Sequence, residues 1–191
     1  MTDHTVAIVG AGTMGAGIAQ VALEAGWHVR LADVDPEALE RARGRIRDGL
    51  LRRAAKLSAA VDRAAWAEAH LDRLRTDAGP VDAIRGAELV IEAALEDLAV
   101  KRTLFAELES AAGESTILAT NTSALSVSRI AEATNRPWRV IGLHFFNPAP
   151  LLPLVEVVAG AARDEAILVR AEEIVTAWGK TPIRCADHPG F

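Results

Sequence analysis

Thr5-Val6-Ala7-Ile8-Val9-Gly10-Ala11-Gly12-Thr13-Met14-Gly15 decides the reading of this chain. Its first five residues are a short apolar run ending in glycine, the mark of a strand buried on both faces, as a parallel sheet requires. Apolar positions then recur at helical spacing, with Met14, Ile18, Val21 and Ala22 on one face and Gly26 closing the segment as a C-cap. Between strand and helix stands G-x-G-x-x-G. Alone that string is weak evidence; in this context each glycine has a task. Gly10 permits the tight turn, Gly12 lets a pyrophosphate approach the backbone, and Gly15 allows close packing of helix on strand. The helix start, with Thr13 and Met14, then offers unpaired N–H groups to phosphates.

Outward from this turn the alternation repeats. Val29-Arg30-Leu31-Ala32 reads as a second strand closed by Asp33, about twenty residues beyond the glycines. A carboxylate there accepts hydrogen bonds from both hydroxyls of a ribose and repels a 2′-phosphate, so NAD is expected in preference to NADP. The bland alternative is that the glycines only make a turn and Asp33 only begins a loop. Pro36 opens a long helix whose buried stripe is Leu39, Ile46, Leu50 and Leu57, and a second helical stretch runs from about Ala60 to Leu74. Short apolar runs return at Leu89–Ala93, Thr116–Ala119 and Val140–Leu143, separated by helical segments near Val100–Leu108 and Ser126–Ala133. The run Leu154–Val158, a helix over Asp164–Trp178 and a short strand at Pro182–Arg184 complete the set. Strands alternating with helices predict a single α/β domain over residues 1–191: a Rossmann-type, doubly wound, mostly parallel sheet, with a helical hairpin inserted after the second strand.

Composition narrows the function. A chain of 191 residues, 50% hydrophobic and 25% charged, has the length and balance of one globular domain with a sizeable core. A net charge of −5 argues against nucleic-acid binding. The apolar stretches are strand-sized and Met1-Thr2-Asp3-His4 has no basic-then-hydrophobic pattern, so neither a membrane span nor a secretory signal is expected, and a cytoplasmic protein is. The single Cys185 forms no disulfide within the chain and no multi-thiolate metal site, so no metal is expected. Against the acidic background, Arg41, Arg43, Arg45, Arg47, Arg52, Arg53 and Lys56 form a basic run. It reads either as a solvated helix face or as a dock for an anionic ligand.

In a doubly wound sheet, ligands bind beyond the carboxyl ends of the strands, so polar residues there are the candidates. Glu96 follows the Leu89 strand, Asn121-Thr122-Ser123 follows the Thr116 strand, and His144 closes the Val140 strand before Phe145-Phe146-Asn147-Pro148. Glu156 alternates with Leu154 and Val158, which puts a carboxylate on an apolar face where an unpaired charge is costly. His144 is its expected partner. A carboxylate on one imidazole nitrogen fixes the tautomer and raises the basicity of the other, which suits a general base for an alcohol proton. Ser123 is placed to donate to the reacting oxygen and Asn147 to orient substrate or nicotinamide. The chain has no tyrosine and no His-Glu-x-x-His string, which rules out a Tyr-x-x-x-Lys dehydrogenase and argues against a zinc alcohol dehydrogenase.

Together Gly-Ala-Gly-Thr-Met-Gly, Ile91-Glu92-Ala93 with Glu96, Thr120-Asn121-Thr122-Ser123, and above all His144-Phe145-Phe146-Asn147-Pro148 with Val155-Glu156-Val157 resemble the L-3-hydroxyacyl-CoA dehydrogenase family. The resemblance implies an NAD-dependent oxidation of the 3-hydroxyl of an acyl-CoA. It makes His144 and Glu156 the catalytic pair, lines the reaction site with Ser123 and Asn147, and assigns Asp33, Glu96 and Lys101 to NAD. It also turns Lys56, with Arg53, toward the phosphates of coenzyme A. The ending Trp178-Gly179-Lys180-Thr181-Pro182 with Arg184-Cys185 looks most like the phenylacetate-degradation branch, which acts on 3-hydroxyadipyl-CoA or 3-hydroxybutyryl-CoA. Two departures stand out: Pro153 replaces a family lysine, and the sequence stops at Pro189-Gly190-Phe191, where the family continues into a helical domain that forms a homodimer. The expectation is therefore a domain that is poorly active alone. The rival readings are a dehydrogenase of non-CoA hydroxy acids, such as the gulonate-oxidising relatives, and a non-catalytic crystallin-like protein on the same fold.

Overall fold

The computed structural model describes residues 4–188 and 190–191. The Met1-Thr2-Asp3 segment, read above for a secretory signal, lies outside them. One eight-stranded sheet organises the chain, with strands β1 (Thr5–Val9), β2 (His28–Ala32), β3 (Leu74–Asp77), β4 (Leu89–Glu92), β5 (Ile117–Thr120), β6 (Val140–Phe145), β7 (Leu154–Ala159) and β8 (Thr181–Ala186). Their spatial order is β3-β2-β1-β4-β5-β6-β7-β8. All pairings are parallel except β6 with β7, which is antiparallel. The helices are α1 (Thr13–Glu24), α2 (Pro36–Ala54), α3 (Arg63–Leu71), α4 (Pro80–Ala83), α5 (Leu98–Ala111), α6 (Val127–Ala131) and α7 (Glu165–Ala177).

Strand periodicity divides the core in two. Val6 and Ile8 belong to one buried cluster with Ile18 and Leu39, while Ala7 and Val9 belong to another with Phe105 and Ile130. Successive side chains of a strand point to opposite faces, so an all-apolar β1 is buried only if helices cover both sides. The two clusters are those two interfaces. Chain reversal about β1 then follows: from β1 the connections run to β2 on one side and, after β3, to β4 on the other. The ends of β1 and β4 thus frame the crevice in which ligands of doubly wound sheets bind.

The helical hairpin after β2 is present as α2 and α3, with Asp35 accepting from Glu37 N at 2.9 Å and Pro36 in the first turn. Two expectations about it need correction. Leu57 is not part of the buried stripe: α2 ends at Ala54, the N–H groups of Lys56 and Leu57 bond three residues back in a tightened turn, and Leu57 is exposed. The second helix stops at Leu71, and Leu74-Arg75-Thr76-Asp77 extends as the edge strand β3. The final strand is also longer than expected, running Thr181–Ala186 as the opposite edge. No helix among the described residues is long and apolar enough to cross a membrane.

Candidate active site

The glycine turn has the geometry its spacing requires. Gly10 sits at φ +107°, and a Cβ there would lie 2.6 Å from the Ala93 carbonyl oxygen, so a side chain would push β1 away from the end of β4. A Cβ on Gly15 would fall 1.8 Å from Gly10 O, which closes that position to any residue but glycine. At Gly12 a Cβ would meet no atom within 4 Å. Gly12 is also the N-cap of α1, with no capping side chain and no acid in the first turn. The open space and the uncapped N–H groups of Thr13 and Met14 meet at one point, the arrangement that suits a pyrophosphate.

Asp33 follows β2 as expected, and its carboxylate is tied down: Oδ2 accepts from Ala11 N at 2.7 Å and Oδ1 from Asp35 N at 3.0 Å. These bonds connect the turn to the end of β2 and leave lone pairs on both oxygens. With Gly10, Val34 and Val100, Asp33 lines a cleft of 520 Å³ on one side of the turn. Apolar walls with one fixed carboxylate suit an adenosine whose ribose hydroxyls meet the acid.

On the other side of the turn lies a cleft of 340 Å³. It brings together six residues singled out from sequence: Glu96, Lys101, Asn121, Ser123, His144 and Asn147. Met14 lines it too, and Ala94 borders both clefts. His144 is the penultimate residue of β6 and lies directly across from Glu156 in the antiparallel pair. Its Nδ1 is 2.7 Å from Glu156 Oε2, and each side chain retains 16% exposure. The face that carries Glu156 is buried at Val158 and exposed at Leu154, so the carboxylate sits at the edge of the core rather than within it. With Nδ1 engaged, Nε2 is the nitrogen left for chemistry. Phe146 packs against the imidazole, ring centroids 4.6 Å apart.

Beneath the cleft is a polar network that sequence reading left largely unseen. Glu92 ends β4 fully buried and takes the Lys101 ammonium on Oε1 at 2.5 Å, Ala94 N on the same oxygen at 2.7 Å, and the Thr120 hydroxyl on Oε2 at 2.7 Å. Lys101, also buried, reaches Glu96 Oε2 at 3.3 Å. Removing either member of the Glu92–Lys101 pair would strand a charge, at a cost of about 3–5 kcal/mol. Glu96 itself accepts from the Thr122 hydroxyl and from Ser123 N at 3.1 Å. Partial burial pushes its pKa up, but the Thr122 hydroxyl, the Lys101 charge and the Ser123 N–H together hold it below the ordinary carboxylate value. Asn121 Oδ1 accepts from Phe145 N at 2.8 Å, which fixes the end of β6 and leaves the Asn121 NH₂ as a donor.

The basic run divides. Arg41 pairs with Asp35 and Glu37, Arg47 with Glu68, and Arg53 with Glu24 at 3.5 Å. Arg52 and Lys56 have no carboxylate partner among the described residues. With Arg53 and Lys180 they line a 560 Å³ groove between the end of α2 and the Pro150–Leu151 turn. Arg52 continues into a smaller groove of 190 Å³ that reaches Thr13 and Asn147. Lys180 donates to Ala149 O at 2.6 Å and Leu152 O at 2.9 Å, pinning the turn that carries Pro153; burial lowers its pKa. Glu92, Thr120 and Lys180, quoted above only within motifs, were given no role of their own by the sequence reading. For Glu92 the signal was there, in an acid closing an otherwise apolar strand.

A glycine turn at the switch point of a doubly wound sheet, with a fixed acid on one side and a histidine–carboxylate pair on the other, defines a dinucleotide-binding domain of the dehydrogenase type. The match to the family described as 3-hydroxyacyl-CoA dehydrogenase, NAD binding domain, extends over residues 5–188, and the chain belongs to that family. It is 46% identical over 192 residues to 3-hydroxyadipyl-CoA dehydrogenase of Escherichia coli (strain K12), covering 98% of this chain and 39% of that protein. It is 39% identical over 191 residues to the probable 3-hydroxybutyryl-CoA dehydrogenase of Bacillus subtilis (strain 168), covering 100% of this chain and 65% of that protein. The crystal structure of 3-hydroxybutyryl-CoA dehydrogenase from Escherichia coli K12 superposes with a TM-score of 0.92 at 45% identity, over all of this chain and 40% of that one. The chain therefore spans between 39% and 65% of the length of these relatives.

Proposed function

We propose that this chain is the NAD-binding part of a dehydrogenase that oxidises the 3-hydroxyl of an acyl-CoA to the 3-keto thioester. The observation that carries the reading is the 2.7 Å contact between His144 Nδ1 and Glu156 Oε2 at the nicotinamide side of the glycine turn. When bound, NAD supplies the hydride acceptor, and the protein's task is to position it. The Gly10–Gly15 turn with Thr13 and Met14 takes the pyrophosphate, Asp33 the adenosine ribose, and Glu96, Lys101 and Asn121 the nicotinamide half. His144 Nε2 accepts the proton from the hydroxyl oxygen, and the hydride on the carbon bearing that hydroxyl would pass to the acceptor that bound NAD supplies, so the alcohol loses two electrons and two hydrogens and becomes a carbonyl. Glu156 stabilises the imidazolium that forms. Ser123 donates to the oxygen as it becomes the carbonyl, and Asn147 holds the thioester or the carboxamide.

The substrate class rests on the basic groove. Lys56, together with Arg53 and Arg52, presents cations to an anionic handle, and a coenzyme A nucleotide carries several phosphates; a simple hydroxy acid would leave the groove unused. A non-catalytic relative would have no need of a half-buried His144–Glu156 pair. The names of the relatives point to 3-hydroxyadipyl-CoA or 3-hydroxybutyryl-CoA, the phenylacetate-degradation or β-oxidation type of substrate. We further infer a cytoplasmic enzyme with no nucleic-acid or membrane partner, acting as a homodimer through a helical domain of the family type. The net charge of −5 argues against a nucleic-acid partner, and the single cysteine suits a reducing compartment.

The test is His144→Gln in the full-length protein. Loss of the base lowers kcat for 3-hydroxyacyl-CoA oxidation roughly 10²–10⁴-fold while NADH affinity is retained. Near-normal turnover, read as NADH formation at 340 nm, would remove His144 from this role.

A further inference from the structure

Glu156 lies on the middle strand of three. On one side β6 places His144 directly opposite it; on the other, β8 pairs in parallel with Val158 opposite Cys185. Residues two apart on a strand share a face, so Cys185 is the diagonal neighbour of Glu156 on the side away from the histidine. Its Sγ lies 3.6 Å from Glu156 Oε1, while Oε2 holds His144 at 2.7 Å. We propose that Cys185 is a positioning residue for the His144–Glu156 pair, its thiol donating to Oε1 so that the carboxylate plane is held with Oε2 toward the imidazole.

The proposal rests on the reading of His144 as the base. A glutamate's terminal torsion is broad, so one hydrogen bond leaves the carboxylate free to swing about it. A second donor on the other oxygen removes that freedom. For this a thiol must stay protonated, and burial together with the nearby Glu156 charge raises the Cys185 pKa, so the S–H persists at neutral pH. Among the described residues, the titratable groups in contact with Glu156 are His144 and Cys185. A serine hydroxyl is a stronger donor of similar size, and an alanine methyl is no donor at all.

Two measurements test this, and only one depends on turnover. The chain has a single cysteine, so alkylation of Cys185 by iodoacetamide across pH reports its thiolate directly. In Glu156→Gln the carboxylate charge is gone, and the alkylation rate at pH 7.5 rises roughly three- to tenfold, its pH profile moving to lower pH. An unchanged profile overturns the contact, whatever the enzyme's activity. In the full-length protein, Cys185→Ala lowers kcat about three- to tenfold with KM for NAD and acyl-CoA unchanged, and Cys185→Ser restores most of it. If alanine keeps wild-type kcat, or serine is as impaired as alanine, the thiol has no positioning role. If the alkylation result holds but His144→Gln is fully active, the reading of the base has failed and the contact has not.

Discussion

Replacing Gly12 by alanine, beside Gly15 by alanine, separates what the glycine turn does for a ligand from what it does for the fold. Gly12 has φ −68° and ψ −168°, a backbone open to any L-residue, and an added Cβ meets nothing within 4 Å. As an N-cap, alanine is poorer than glycine by about 0.5–1 kcal/mol, and the stiffer unfolded chain returns about 0.4–1 kcal/mol. The net change is under about 1 kcal/mol, a Tm shift below about 4 °C at this chain length. Binding is another matter. A methyl in the open space above α1 holds a pyrophosphate off the N–H groups, and one charge-assisted hydrogen bond lost at about 1.5–3 kcal/mol weakens NADH roughly 10- to 150-fold. Gly15→Ala shows the opposite pattern: a Cβ 1.8 Å from Gly10 O forces α1 off β1, an overpacking cost of about 1–3 kcal/mol or more, visible as a clear fall in Tm. Thermal melts and NADH fluorescence titration read the two effects. Folded Gly12→Ala that binds NADH within about twofold of the parent would refute the cradle assignment.

Three further outcomes follow from named contacts. The parent binds NADH at least about tenfold tighter than NADPH, because the fixed Asp33 carboxylate repels a 2′-phosphate; comparable Kd values in a titration refute that, and Asp33→Ala narrows the gap. Lys56→Glu raises KM for a 3-hydroxyacyl-CoA roughly fivefold with kcat unchanged; an equal loss with a truncated, CoA-free thioester places the effect elsewhere. Asp187 accepts from Ser128 Oγ, Ser128 N, Val127 N and Ser126 Oγ; burial raises its pKa, but these bonds, the Ser128 hydroxyl's foremost, outweigh it and leave a net depression. A depressed carboxylate contributes stability above its unfolded pKa and loses it as pH falls through the folded value. The Tm advantage of the parent over Asp187→Asn is therefore full at pH 7 and shrinks below about pH 4; parallel Tm curves across that window count against the contact.

The sequence by itself determined the elements whose signal is local. Val6 to Val9 is apolar at every position, Gly10, Gly12 and Gly15 stand at the spacing of a tight strand-to-helix turn, and Pro36 after Asp35 starts a helix on its own chemistry, so β1, α1 and α2 were legible within a few residues. The same was true of the His144–Glu156 pair, because a carboxylate amid apolar neighbours demands a partner. Only the tertiary structure decided what depends on neighbours distant along the chain. Leu74-Arg75-Thr76-Asp77 buries one side chain fully and could extend only because β2 was there to pair with it, which is why it read as the tail of a helix. Lys101 lines the cleft while fixed between Glu92 and Glu96, a link made by the approach of α5 to β4 that no spacing along the chain announces. Cys185 reaches Glu156 because β8 docks beside β7, and no spacing within either strand encodes that register. Backbone geometry and unpaired charge act over a few residues and can be read in order; strand pairing acts across dozens and exists only once the sheet has formed.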